Sequence, residues 1–150
     1  MKIAVASDHA AVAERQALVE HLRSRGHDVV DHGVPPGEAA DYPDMAEVVA
    51  KQVASGGAER GILCCGTGIG ICMAAGKVDG VRAATIGDAF SAEMTRRHND
   101  ANVACFGARV ISAAAMQRFA DIFIETPFDG GRHQRRVDKI TALEGGPVPS

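Results

Sequence analysis

None of the four cysteines stands in a C-x-x-C pair or a zinc-ligand spacing: Cys64 and Cys65 are adjacent, while Cys72 and Cys105 lie apart. The pattern argues against a thiol-redox motif and a cysteine-built zinc site, and it fits a reducing compartment. Positive charge is also short. With 16 Lys and Arg against 19 Asp and Glu the formal charge is −3, which leaves no overall basic footprint for a nucleic acid. The opening apolar run Ile3-Ala4-Val5-Ala6 lacks the charged n-region and longer h-region of a signal peptide. No stretch approaches the ~20 apolar residues of a membrane span. The expected location is the cytoplasm, with neither nucleic acid nor membrane among the partners.

What is present suits a single globular domain: 150 residues, 46% hydrophobic and 23% charged. Apolar runs and helical periodicities alternate along the chain. Strands are expected over 2–7, 27–33, 61–65, 81–86 and 103–107, and helices over 10–25, 43–55, 69–77, 89–98, 113–123 and 134–143. The segment Val34-Pro35-Pro36-Gly37 should end the second strand, and Pro43 suits the first turn of the helix after it. Strict strand–helix alternation at these lengths predicts a five-stranded parallel sheet with helices on both faces, because parallel strands need crossover connections. Such sheets bind ligands beyond the carboxyl ends of their strands. The domain should span 1–143, followed by a loose Gly- and Pro-rich tail over 144–150.

Four groups of residues can carry chemistry. After the third strand comes Cys65-Gly66-Thr67-Gly68-Ile69-Gly70. Its glycines permit close backbone approach, and the helix that follows offers unpaired N–H groups, so the loop is an anion cradle or a structural tight turn. It lacks the lysine of a P-loop and the full dinucleotide spacing. Cys65, just ahead of those N–H groups, is placed either as a proton-transferring thiolate or as a small buried hydrophobe. Its neighbour Cys64 should face the other side of the sheet. Asp8-His9 ends the first strand on the same edge and offers a carboxylate and an imidazole, with Asp8 also fit to cap the first helix. His98-Asn99 follows a helix. Arg132 and Arg136 lie four apart, on one helix face that could fork onto a phosphate or simply face solvent. His98 and the arginines can join the first two groups only if the fold or a partner subunit brings them there. His21, His27 and His32 read as surface residues, and Cys72 and Cys105 as packing residues.

Taken together, Ser7-Asp8-His9, Asp41-Tyr42-Pro43, the Cys65–Gly70 loop, His98-Asn99-Asp100-Ala101-Asn102-Val103, Phe106-Gly107-Ala108-Arg109-Val110 and Gly130-Gly131-Arg132-His133-Gln134 resemble the ribose-5-phosphate isomerase B family, which also holds galactose-6-phosphate isomerase subunits. The likeness runs in order over residues 1–143.

The resemblance implies a Rossmann-like three-layer sandwich that works as a homodimer, sometimes paired into a tetramer, without metal or organic cofactor. It implies aldose–ketose isomerisation of ribose 5-phosphate and ribulose 5-phosphate. In it Cys65 moves the proton between C1 and C2, Thr67 assists at the hydroxyl, and the N–H groups of Gly66, Gly68, Ile69 and Gly70 hold a cis-enediolate. His98 opens the sugar ring, and Asp8 assists at the sugar hydroxyls. Tyr42 and Asn99 position the sugar; His9, Arg132 and Arg136 hold the phosphate, with Arg109 reaching it from the second subunit.

Three residues depart from the family's common pattern: Ala11 for glycine, Cys72 for serine and Gly76 for asparagine. They leave a tetrose or hexose phosphate open as the substrate. A noncatalytic module that binds phosphoryl ligands is the reading from a different class, and a thiol-redox protein using Cys64 and Cys65 a further one.

Overall fold

In the computed structural model residues 1–34 and 39–145 are described. The expected breaker at 35–37 and the tail from 146 onward lie outside them. The strands are β1 (Lys2–Ser7), β2 (Asp28–Gly33), β3 (Arg60–Cys65), β4 (Ala83–Thr85) and β5 (Val103–Gly107). The helices are α1 (Val12–Ser24), α2 (Tyr42–Ala54), α3 (Ile69–Ala75), α4 (Ala89–Arg97), α5 (Ala113–Glu125) and α6 (Arg132–Thr141). All strand pairs are parallel, in the order β2-β1-β3-β5-β4.

Both faces of the sheet are covered, so its central strands are continuous apolar runs. On one face Ile3, Val5, Ile62, Cys64, Ala104 and Phe106 pack under α1, α4 and α5. On the other, Ala4, Ala6, Leu63, Cys65, Val103 and Cys105 pack under α2 and α3. The two adjacent cysteines therefore fall in different cores, as strand alternation requires. Close layering has a local cause at Gly61, where a methyl group would stand 2.6 Å from Val49 of α2.

Helix ends follow their caps. Asp88 accepts from the Ser91 amide at 2.7 Å and Ser112 from that of Ala115 at 3.1 Å, which starts α4 and α5. Gly26, at φ +88°, lies just beyond the end of α1. Most boundaries fall within two residues of the sequence expectation, and three differences have a local cause. The first helix opens with a 3-10 turn at His9–Ala11, because Asp8 accepts from the Ala10 amide two residues on and tightens the entry. The fourth strand is only Ala83–Thr85, since Val81 is spent in a turn onto Val78. The last helix starts at Arg132, two residues early, because Gly130 and Gly131 at φ +65° and +55° turn the chain directly into it. No helix among the described residues is long and apolar enough to cross a membrane.

Candidate active site

The order β2-β1-β3 places a switch point between β1, which leads outward to β2, and β3, which leads the other way. Ser7 pairs with Cys64, and the Asp8 amide donates to the Cys64 carbonyl at 3.1 Å, so Asp8 and Cys65 finish neighbouring strands at one carboxyl edge. Asp8 is nearly buried, and its Oδ1 holds the Ala10 amide at 2.9 Å. His9 is exposed in the turn, with Nδ1 3.3 Å from the Ala40 carbonyl oxygen.

The loop after β3 is built around its first residue. The Gly68 amide donates to Cys65 Sγ at 3.1 Å, and the Ile69 amide to Thr67 Oγ1 at 3.2 Å. Gly68 is obligatory: it sits at φ +78°, and a side chain there would stand 2.8 Å from the Phe106 carbonyl carbon. Gly70 is required for another reason, since the Tyr42 ring lies where its Cβ would be, 2.8 Å away. That contact docks the start of α2 onto the start of α3. Arg109, two residues past β5, donates its amide to the Gly66 carbonyl at 3.0 Å, and its guanidinium covers Gly66 of the same chain.

Two residues that the sequence reading passed over support this edge. Thr85 Oγ1 donates to the Gly68 carbonyl at 2.9 Å. Arg15, a buried cation on α1, donates to Ser7 Oγ at 3.1 Å and lies 3.3 Å from Asp31. Neither shows in a sequence pattern, for Thr85 is an ordinary strand threonine and Arg15 an ordinary charge on an amphipathic helix.

The cysteines differ in protonation. Burial pushes the Cys64 thiol up to about 12, and its hydrogen points at Met116 Sδ, 3.7 Å away. The Cys72 thiol is drawn down to about 6, chiefly by a hydrogen bond from Cys105 and further by Thr85, against its partial burial. Burial and that same bond hold Cys105 well above the usual thiol range. Cys105 packs in the core under α2 and α3, and Cys72 packs against it, as expected. His21, expected at the surface, is instead half-buried and bonded to Asp121 at 2.8 Å, tying α1 to α5.

The remaining residues stand elsewhere. His98 caps the end of α4, and the chain from there enters β5 at its amino end, where the Asn102 carbonyl accepts from Gly61 near the start of β3. Asn99 lines a cleft of about 370 Å³ with Gly76, Arg82, Thr95 and Ile140, at the same amino edge. Arg132 and Arg136 are exposed on α6, and His133 beside them stacks on His98 with ring centroids 4.3 Å apart and planes 13° from parallel. Partial desolvation, His98 and the two guanidiniums hold the His133 imidazole below the usual histidine range. From Gly61 to Cys65 the strand runs four residues, about 13 Å at roughly 3.3 Å per residue. One chain therefore gathers Asp8, His9, Tyr42, Cys65–Gly70 and Arg109 at one edge, and His98, Asn99, Arg132 and Arg136 at the other.

The carboxyl edge carries a thiol, a carboxylate, a hydroxyl and backbone amides on neighbouring strand ends, group types suited to moving a proton beside a carbonyl and holding the resulting oxyanion. Comparison with known proteins agrees with that chemistry. Residues 3–140 match the model of the family described as Ribose/Galactose Isomerase. Ribose-5-phosphate isomerase B of Escherichia coli is 43% identical over 143 residues, 95% of this chain and 96% of its own. The structure of Clostridium thermocellum ribose-5-phosphate isomerase B superposes with a TM-score of 0.93 at 42% identity, over 95% of this chain and 97% of that one. The Mycoplasma genitalium enzyme, solved with bound ribulose 5-phosphate, gives 0.90 at 42% identity over 93% of each chain. A D-erythrulose-4-phosphate isomerase of Pectobacterium atrosepticum is 38% identical over 96% of this chain and 95% of its own.

Proposed function

This chain belongs to the ribose/galactose isomerase family, and from that premise we propose that it interconverts ribose 5-phosphate and ribulose 5-phosphate in a site shared by two copies. The observation that carries the reading is the Cys65 sulfur under the Gly68 amide at 3.1 Å, beside the Asp8 strand end. Starting from the aldose, the Cys65 thiolate takes the proton from C2, and charge develops on the carbonyl oxygen at C1. The loop amides hold that oxygen, where one pre-aimed donor is worth about 10²–10³ in rate. Thr67 carries the hydroxyl proton from O2 to O1, and Cys65 returns its proton to C1. The electron pair stays within the substrate, so no redox cofactor is needed.

The furanose ring must open first. His98 serves as the acid and base for this, with Asp8 at the sugar hydroxyls, while Tyr42 and Asn99 orient the chain of carbons. His9, Arg132 and Arg136 bind the phosphate, joined by Arg109. Binding energy from that remote dianion fixes C1 and C2 beside the thiolate. A homodimer is what unites these groups, because within one chain they stand at opposite sheet edges. A two-fold contact would build two equivalent sites, each taking Cys65 from one copy and His98 from the other. Ile69, Met73, Phe90 and Val110 are exposed at or next to the carboxyl edge and supply apolar surface for the contact.

The test is kcat/KM across tetrose, pentose and hexose phosphates. Ribose 5-phosphate should lead. Preference for erythrulose 4-phosphate or a hexose phosphate would keep the chemistry and replace the substrate, whereas inactivity on every sugar phosphate would return the protein to a phosphoryl-binding module.

A further inference from the structure

We propose that His98, Asp129 and His133 form a binding site for a borderline divalent cation such as Zn²⁺, and that the bound ion arrests isomerisation by taking the His98 imidazole. The three donor groups lie within 4.8 Å of one another. The chain has built them into one place by separate means. His98 ends α4, and Gly130 and Gly131 turn α6 so that His133 stacks upon it. Asp129 is pinned from behind: its amide donates to the Arg97 carbonyl at 3.1 Å, and Arg97 Nη1 holds Oδ1 at 3.2 Å. Arg97 is itself fixed by Glu93 at 2.7 Å. This leaves Oδ2 for a ligand, with the supporting partner that metal-bound carboxylates commonly have.

Two imidazole nitrogens and one carboxylate oxygen suit zinc, nickel or cobalt, whereas magnesium and calcium prefer oxygen alone. Bonds of about 2.0–2.2 Å require donors roughly 3.3 Å apart, so the cluster must close by up to about 1.5 Å. One ring must also rotate, because a metal lies in the plane of each imidazole it binds and parallel planes do not meet. His98 and His133 are only half-buried and Asp129 is exposed, which leaves both movements free. Three protein ligands keep a coordination position open to water or a substrate oxygen. The guanidiniums of Arg97, Arg132 and Arg136 weaken the site, so it takes the ion reversibly instead of as a permanent part. The arrest rests on the role proposed above for His98; the binding does not.

The experiment titrates Zn²⁺ calorimetrically into full-length protein freed of metal with EDTA and dialysed. We expect one ion per chain with Kd on the order of 10 μM. Asp129→Asn and His133→Ala should each weaken binding about tenfold or more. Cys65→Ser should bind as the wild type does, which separates the site from the thiols. Zinc should inhibit the wild-type reaction, and EDTA should restore it. Asp129→Asn should keep the metal-free rate and lose sensitivity by the same factor as its binding. Unchanged zinc affinity in the double variant Asp129→Asn with His133→Ala, or no binding at about 100 μM, would overturn the site. Zinc bound with these effects but without inhibition would uphold the site and contradict the role of His98.

Discussion

The Gly68 amide points at the Cys65 sulfur across 3.1 Å, and Gly68 can do so only because its backbone adopts φ +78°. Thr85 holds the carbonyl side of the same residue at 2.9 Å. The thiol that begins the loop is thus under backbone control.

Cys65→Ala should lower kcat by about 10²–10⁴ while substrate binding persists. Cys64→Ala should keep most of the activity and cost about 1–2 kcal/mol of stability, because its side chain is wholly buried in the opposite core. Steady-state kinetics and thermal unfolding of both variants check this. A Cys65→Ala enzyme with wild-type kcat would remove cysteine from the mechanism.

Arg132 and Arg136 are exposed one turn apart on α6 and free to grip a dianion. Replacing either with Ala should raise KM about 10–100-fold, the loss of a charge-assisted hydrogen bond. A parallel fall in kcat would mean that the pair also sets the geometry of the reacting carbons. Unchanged kcat/KM in both variants would make them a solvated face.

Cys72 gives the fold a pH dependence of definite sign. Its thiol is lowered from 9.0 to about 6 in the folded protein, so the folded state sheds its proton at lower pH than the unfolded chain. The resulting stabilisation is complete above the unfolded value and is lost as pH falls through about 6. Cys105 is shifted the other way and keeps its proton across this window. Relative to Cys72→Ser, the wild type should gain thermal stability between pH 6 and pH 9. Melting curves at several pH values measure the difference, and a constant difference would contradict the coupling of Cys72 to Cys105.

Much of the fold was legible because its signals are local. Continuous apolar runs at 2–7, 61–65 and 103–107 could only be strands covered on both faces, and strand alternation already set Cys64 and Cys65 apart. The carboxyl-edge cluster was legible for the same reason, since parallel strands deliver Asp8 and Cys65 to one edge. What stayed hidden depends on tertiary placement. Nothing near His133 announces that its ring will stack on His98, thirty-five residues away. The supporting bonds of Thr85 and Arg15 likewise arise only once strands and helices are assembled. His21 looked like a surface residue because its partner, Asp121, lies a hundred residues on.

The central claim is that catalysis joins Cys65 of one copy to His98 of another, and complementation between two dead variants tests it most directly. Cys65→Ala and His98→Ala homodimers should each be nearly inactive. In a mixed dimer one shared site collects both substitutions and the other receives none. Random exchange at equal amounts makes about half the dimers mixed, with half their sites intact, for roughly a quarter of wild-type activity. The two variants are unfolded and refolded together, heterodimers are confirmed by mass, and ribose 5-phosphate isomerisation is assayed. Recovery near that quarter is the predicted result; confirmed heterodimers with no recovered activity would contradict the shared site.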